Sequence, residues 1–190
     1  YYIDNGIYRV KCDGSREELV IADISDEIVV SRLQIADETL YYILGNALYV
    51  QRFDATEPSQ VIEEVGFAYY EAPFLYHTKY TDYDTDLYRV DMQTDASTLL
   101  RKSFTGIIFQ TYQQEVYFQS GYKWLKVRDV DNDQTIKQAY NLYAFPNIYQ
   151  GQLYYVLYSN PNWKADTVEI QLARCDLDGK NEEILDEKRV

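Results

Sequence analysis

The chain of 190 residues is long enough to bury a core of ordinary size, and its 46% hydrophobic and 26% charged residues describe a globular chain rather than a disordered or membrane-spanning one. A formal net charge of −13 argues against nucleic acid as a partner, because a phosphate backbone calls for a basic face, and no apolar run approaches the length of a transmembrane helix. The 21 tyrosines, against one histidine and one methionine, favour strands: the ring fits a pleated surface while the hydroxyl reaches water or a polar partner.

The chain opens on Tyr1-Tyr2-Ile3, inside a predicted strand and without a basic or apolar leader, as a mature or excised segment would. Next comes Ile7-Tyr8-Arg9-Val10-Lys11-Cys12-Asp13-Gly14. Strand alternation puts Tyr8, Val10 and Cys12 on one side, read as inward, with Arg9 and Lys11 on the other. Asp13-Gly14 then closes a tight hairpin, since glycine accepts the positive φ the turn needs. The unit returns as Leu48-Tyr49-Val50, Leu87-Tyr88-Arg89-Val90, Trp124-Leu125-Lys126-Val127 and Leu172-Ala173-Arg174-Cys175, the last followed by its own Asp178-Gly179. A second anchor precedes each copy: Tyr1-Tyr2, Tyr41-Tyr42, Leu75-Tyr76, Tyr117-Phe118 and Tyr154-Tyr155. Two registered anchors at a period near 40 residues, with no long amphipathic helical stripe, are the mark of a propeller blade.

Each full period divides into four strands, which in the second are predicted at 28–35, 39–44, 47–53 and 60–65. The predicted fold is therefore all-β: a β-propeller of four-stranded antiparallel blades, partial over 1–20 and complete over approximately 27–65, 66–102, 105–139 and 142–186. Either the chain is a piece of a larger propeller, or the tail after Leu185 completes a five-bladed ring. Glu187-Lys188-Arg189-Val190 makes a poor innermost strand, which favours the first.

Paired aromatics followed by hydrophobic-Tyr-Arg-Val-x-x-Asp-Gly resemble a family of Tyr-rich bacterial β-propellers of unknown function, themselves similar to the YWTD propellers of lipoprotein-receptor-related proteins. The resemblance covers essentially the whole chain and implies a secreted or surface-attached protein of a Gram-positive bacterium. The chain departs from the pattern at Val50, where the basic residue is missing, and at Asp129 to Asp133. The Tyr-Trp-Thr-Asp signature is absent, so receptor-type ligand binding is not carried over.

The blades differ most between their second and third strands, where long loops on a rigid scaffold collect function. The blade-three insertion, 78–86, holds Tyr80 and Tyr83 and places Asp82, Asp84 and Asp86 at the alternate spacing of a calcium loop. Leu87 stands where such a loop needs glycine and Gln93 where it needs a bidentate glutamate, so a solvated acidic loop without a cofactor is the simpler reading. Asp129, Asp131 and Asp133 repeat the spacing at another turn. The blade-five insertion, 157–171, carries Tyr158, Asn160, Asn162 and Trp163: a flat apolar face among polar groups, as a glycan platform or a protein interface uses. The alternative is that Trp163 folds back over the blade edge; Trp124, in the repeat strand, is expected in the core.

Cys12 and Cys175, at inward repeat positions, are expected to be buried, and a disulfide between them needs a five-bladed ring. The basic row Arg9, Arg89, Lys126 and Arg174 is expected to stack on tyrosines or pair with acids of the next blade. His77 stands alone and no nucleophile motif occurs, although some propeller glycosidases work with carboxylates only. The leading expectation is a non-enzymatic, extracytoplasmic propeller that binds a protein or glycan, with no catalytic residues and no membrane insertion. The alternatives are a carboxylate-dependent glycoside hydrolase or lyase, and an architectural spacer.

Overall fold

The computed structural model describes residues 2–3, 6–21, 30–81, 84–129, 132–138, 146–158 and 169–189, and there is no helix among them. The strands β1 (Tyr2–Ile3), β2 (Ile7–Arg9) and β3 (Glu18–Ile21) form a three-stranded sheet. A four-stranded sheet follows in β4 (Val30–Ala36), β5 (Thr39–Leu44), β6 (Ala47–Arg52) and β7 (Ser59–Ile62). The third sheet has β8 (Val65–Glu71), β9 (Phe74–Tyr80), β10 (Thr85–Asp91) and β11 (Ser97–Arg101). The fourth has β12 (Ile107–Tyr112), β13 (Glu115–Ser120), β14 (Lys123–Val127) and β15 (Gln134–Gln138). The fifth has β16 (Asn147–Tyr149), β17 (Gln152–Tyr158), β18 (Glu169–Asp176) and β19 (Glu183–Arg189). Every sheet is a meander in chain order, and the protein is an all-β propeller of four-stranded antiparallel blades with one three-stranded blade at its start.

One irregularity recurs in all five blades. Where the third strand pairs the fourth, the register shifts between the anchor and the residue before it: Ile7/Tyr8, Leu48/Tyr49, Leu87/Tyr88, Trp124/Leu125 and Leu172/Ala173. The residue skipped on the outer strand is Val20, Val61, Leu100, Ile136 or Leu185, apolar each time. Such a bulge bends the outer strand and deepens its twist, which a steeply twisted blade needs.

The bulge and the packing of both sheet faces overturn the inward reading of the anchor. Ile7, Leu48, Leu87 and Trp124, one residue earlier, are the fully buried positions, while Tyr8, Tyr49, Tyr88 and Leu125 are half-buried. In a blade packed on both sides, alternation separates two covered faces rather than core from solvent. The fifth blade reverses this, with Ala173 buried and Leu172 exposed. Cys12 is likewise not an inward residue: β2 ends at Arg9, so the thiol sits in the following turn and is exposed, whereas Cys175 inside β18 is buried, and both thiols are free.

The two Asp-Gly turns form as expected. Gly14 (φ 78°) donates its N–H to the Lys11 carbonyl at 2.8 Å, and Gly179 (φ 81°) donates to the Asp176 carbonyl at 2.9 Å. The carboxylates of Asp13 and Asp178 accept the backbone N–H groups of Ser15 and Lys180. Gly179 also approaches β15 so closely that a Cβ there would overlap the Ile136 carbonyl. Two of the hairpins joining first to second strands turn on Asp37-Glu38 and Gln113-Gln114, which adopt positive φ without any glycine.

The chain divides into two compact units, Tyr1–Tyr70 with His77–Tyr80 and Glu71–Tyr76 with Thr81–Val190. In the first, Ile7, Leu40 and Tyr42 form the buried centre, bordered by Val20, Ile21, Leu33, Leu44 and Tyr49. In the second, Tyr117, Trp124, Ile136, Ile148, Leu153, Tyr155, Ala173 and Cys175 form one cluster. Trp124 meets Tyr155 edge-on at 4.9 Å between centroids, which confirms Trp124 as core. Large side chains of this kind contribute roughly 1.5–3 kcal/mol each on burial.

Candidate functional site

The blade-three insertion is mostly a longer hairpin. β9 continues to Tyr80 and β10 resumes at Thr85, so the connection is only 81–84, closed by the Thr81 N–H and hydroxyl donating to the Asp84 carbonyl at 2.8 and 3.0 Å. Tyr80 ends β9 with 52% of its surface exposed. Its ring rests on Gly66: a Cβ at that position would lie 2.7 Å from the tyrosine hydroxyl. The missing side chain lets the ring sit flush on β8, leaving its other face to solvent. The backbone is pinned by the Tyr80 N–H, which donates to the Glu64 carbonyl at 2.8 Å, and Lys79 lies 3.6 Å from the Glu64 carboxylate. Tyr80 is thus a supported aromatic surface at the end of the blade where the second and third strands meet.

The blade-five insertion narrows in the same way. Val156, Leu157 and Tyr158 pair with Leu172, Gln171 and Ile170, which leaves 159–168 as the connection. Tyr158 closes β17, while Asn160, Asn162 and Trp163, like Asp82 and Tyr83 in blade three, lie outside the described residues. Asp84 and Asp86 have backbone partners: Asp84 accepts the Thr85 N–H and Asp86 accepts the Ser103 N–H, both at 3.0 Å. Of the second aspartate series, Asp133 pairs with Arg101, and the Asp129 carbonyl accepts the Asn132 N–H at 3.2 Å. Among the described residues no group of three His, Cys, Asp or Glu is placed to hold a metal ion.

The basic row serves the scaffold, with its partners inside the same blade rather than in the next. Arg9 pairs with Glu18 at 2.5 Å, Lys126 with Glu115 at 3.0 Å and Arg174 with Glu183 at 2.6 Å, while Arg89 lies 4.9 Å from the centre of the Phe74 ring. Arg9 and Arg174 face their glutamates directly across the third and fourth strands. Directly opposed cross-strand side chains have their Cβ atoms roughly 4.5–5.5 Å apart, which puts such partners within easy reach.

Between the fourth and fifth blades lies a polar knot. Lys137 and Tyr155 both hydrogen-bond the Glu182 carboxylate, and Lys137 also donates to the Tyr155 hydroxyl at 3.0 Å. Burial and the Glu182 hydrogen bond push the Tyr155 hydroxyl far up from its ordinary pKa. Burial opposes ionisation of Glu182 too, yet hydrogen bonds from Lys137 and Tyr155 prevail and hold its carboxyl below the usual range. Burial raises the Cys175 thiol, which keeps it protonated. These groups satisfy one another and fasten two sheets.

Two features escaped the sequence reading. The Gln34 side-chain amide donates to the Tyr70 carbonyl at 2.5 Å and accepts the Tyr70 N–H at 2.7 Å. Gln110 does the same to Ile148, at 3.1 and 2.6 Å. Each glutamine clips the first strand of its own blade to the first strand of the next, and each pairs across its hairpin with an anchor tyrosine, Tyr41 or Tyr117. The second feature is a cleft of about 230 Å³ between the first and second sheets, lined by Arg9, Glu18, Leu19, Gln51, Arg52 and Phe53 among others.

No protein-family model and no curated protein sequence matches the chain. Solved structures do resemble it. A chain of the nidogen/laminin complex superposes with a TM-score of 0.63 at 12% identity, over 96% of this chain and 71% of that one. The β-propeller domain of the Trilobed protease from Pyrococcus furiosus gives 0.65 at 11% identity, over 85% and 58%. An oligogalacturonate lyase in complex with manganese gives 0.62 at 15% identity, over 95% and 58%. The chain thus spans less than two thirds of the length of the last two. At these identities the likeness is one of fold, and by fold the chain is a β-propeller.

Proposed function

We propose that the chain is a non-enzymatic binding propeller acting outside the cytoplasm, which takes a protein or glycan ligand at the end of the blades where second and third strands meet. The observation that carries the reading is the Tyr80 ring, seated on Gly66 and half exposed, because a fixed aromatic face loses little freedom when a ligand covers it. By sequence, the blade-three and blade-five connections between second and third strands also carry Tyr83, Tyr158, Asn160, Asn162 and Trp163. The extracytoplasmic setting rests on the resemblance to Tyr-rich bacterial propellers. Propellers of this fold include a chain of a protein–protein complex and a lyase, so the site has to decide the role.

Glycan-array and surface-protein pull-down assays on the wild type and Tyr80→Ala test the proposal. Binding is expected to weaken at least tenfold in the variant, with the melting temperature little changed. Equal binding removes Tyr80 from the site, and turnover of a polysaccharide replaces this reading with the carboxylate-dependent hydrolase or lyase.

A further inference from the structure

The cleft between the first two sheets lies at the other end of its blades from the turns joining second to third strands. Its walls come from Arg9 and Glu18, at the ends of β2 and β3 joined by the 10–17 connection, and from Gln51, Arg52 and Phe53 where β6 runs out; the Gly45-Asn46 turn is at the opposite end of β6. Gln51 is 6% exposed. Its amide nitrogen donates to the Ala55 carbonyl at 3.2 Å, while its Oε1 is buried without a hydrogen-bond partner among the described residues. A buried acceptor left unpaired forfeits its hydration without a replacement, and native proteins leave few of them. Gln51 therefore lines a cleft while holding an acceptor in need of a donor.

We propose that this cleft is a second binding site, independent of the Tyr80 surface, and that it takes a neutral saccharide unit whose hydroxyl donates to Gln51 Oε1. The charges on its rim are each paired: Arg9 with Glu18 across the cleft wall, and Arg52 with Asp54 just outside the lining at 3.0 Å. A balanced rim selects neither an anion nor a cation. It does offer planar guanidinium donors beside carboxylate acceptors, the complement of neighbouring hydroxyls that both give and accept hydrogen bonds. Exposed pairs of this kind contribute little to stability, so a ligand can share their hydrogen bonds at small cost. Phe53 and Leu19 are both partly exposed at the mouth, giving an apolar surface for the C–H face of a sugar ring. The volume falls below the roughly 300–1,000 Å³ of sites for drug-sized ligands, which matches one sugar residue, free or at the end of a chain.

The test is titration of the whole chain with glucose, galactose, mannose and N-acetylglucosamine, with glucuronate and glucosamine as charged controls, followed by NMR shifts of residues 9, 18 and 51–53. At least one neutral sugar is expected to shift these resonances saturably. Gln51→Leu should weaken it tenfold or more, and Tyr80→Ala should leave it unchanged, which separates this site from the Tyr80 surface. Should Gln51→Leu fail to fold, Phe53→Ala, at a partly exposed position, carries the same expectation. Absence of any shift with the neutral sugars, preference for a charged one, or undiminished binding by a folded Gln51→Leu or Phe53→Ala overturns the proposal.

Discussion

His77 shows how a single burial sets a pH response. It lies inside β9, 4% exposed, and burial lowers its pKa from 6.5 to about 4, with the charge on Lys79 adding to the effect and a hydrogen bond to the Thr78 backbone opposing it. The unfolded chain takes up this proton first as pH falls. The stability that neutral His77 allows is therefore complete above pH 6.5 and is lost between about 6.5 and 4, by up to ~3 kcal/mol at the end of that range. Glu182 acts in a lower window: with its folded pKa depressed, its contribution is present above its ordinary 4.5 and is lost as pH falls through the folded value. Urea denaturation at pH 7, 5.5 and 4.5 should show wild-type stability falling across the series and a flatter profile for His77→Gln. An unchanged slope in the variant would assign the loss to other groups.

At the scale of the element, the blade is a set of hairpins whose chemistry is unevenly written in the sequence. The second-blade strands fall within a few residues of their predicted bounds, because tyrosine pairs and alternation are local signals. The face assignment failed, because a bulge is a relation between two strands, and the extra residue (Val20, Val61, Leu100, Ile136 or Leu185) sits in the partner. Turns built from Asp37-Glu38 and Gln113-Gln114 carry no glycine or asparagine signal, yet both residues of each pair have positive φ, the pattern of a type I′ turn. Such conformations strain a side chain by roughly 1–2 kcal/mol, which glycine avoids at an entropic cost of roughly half that. Replacing Gln113-Gln114 by Asn-Gly should therefore stabilise the protein by about 1 kcal/mol in denaturant titration; destabilisation would mean that a glutamine side chain contributes more than its backbone strain costs.

For the whole molecule the dominant physical fact is charge. With 31 acidic against 18 basic side chains, self-repulsion favours expansion, and salt relieves it. Salt also weakens exposed pairs such as Arg9–Glu18 and Arg52–Asp54, but solvent-exposed pairs of this kind contribute little to stability. Raising sodium chloride from 10 to 300 mM should thus lift the melting temperature by about 2–4 °C, equivalent to ~1 kcal/mol for a chain of this size; a fall would show that the surface pairs outweigh the repulsion. At this scale the propeller was legible because a repeat states its architecture many times over. The Tyr80 position was legible as a break in that repeat. The cleft was not, since Arg9 and Gln51 are brought together by two sheets rather than by spacing along the chain.

The glutamine clips have a consequence for how such a chain can change. Gln34 and Gln110 grip an N–H and a carbonyl of the next blade and read nothing of the side chain there, tyrosine in one case and isoleucine in the other. Every amino acid except proline presents that same pair of groups. A blade copied, transplanted from a cousin or altered along its inner strand meets the same latch, so duplication and shuffling leave this junction intact while the loops diverge.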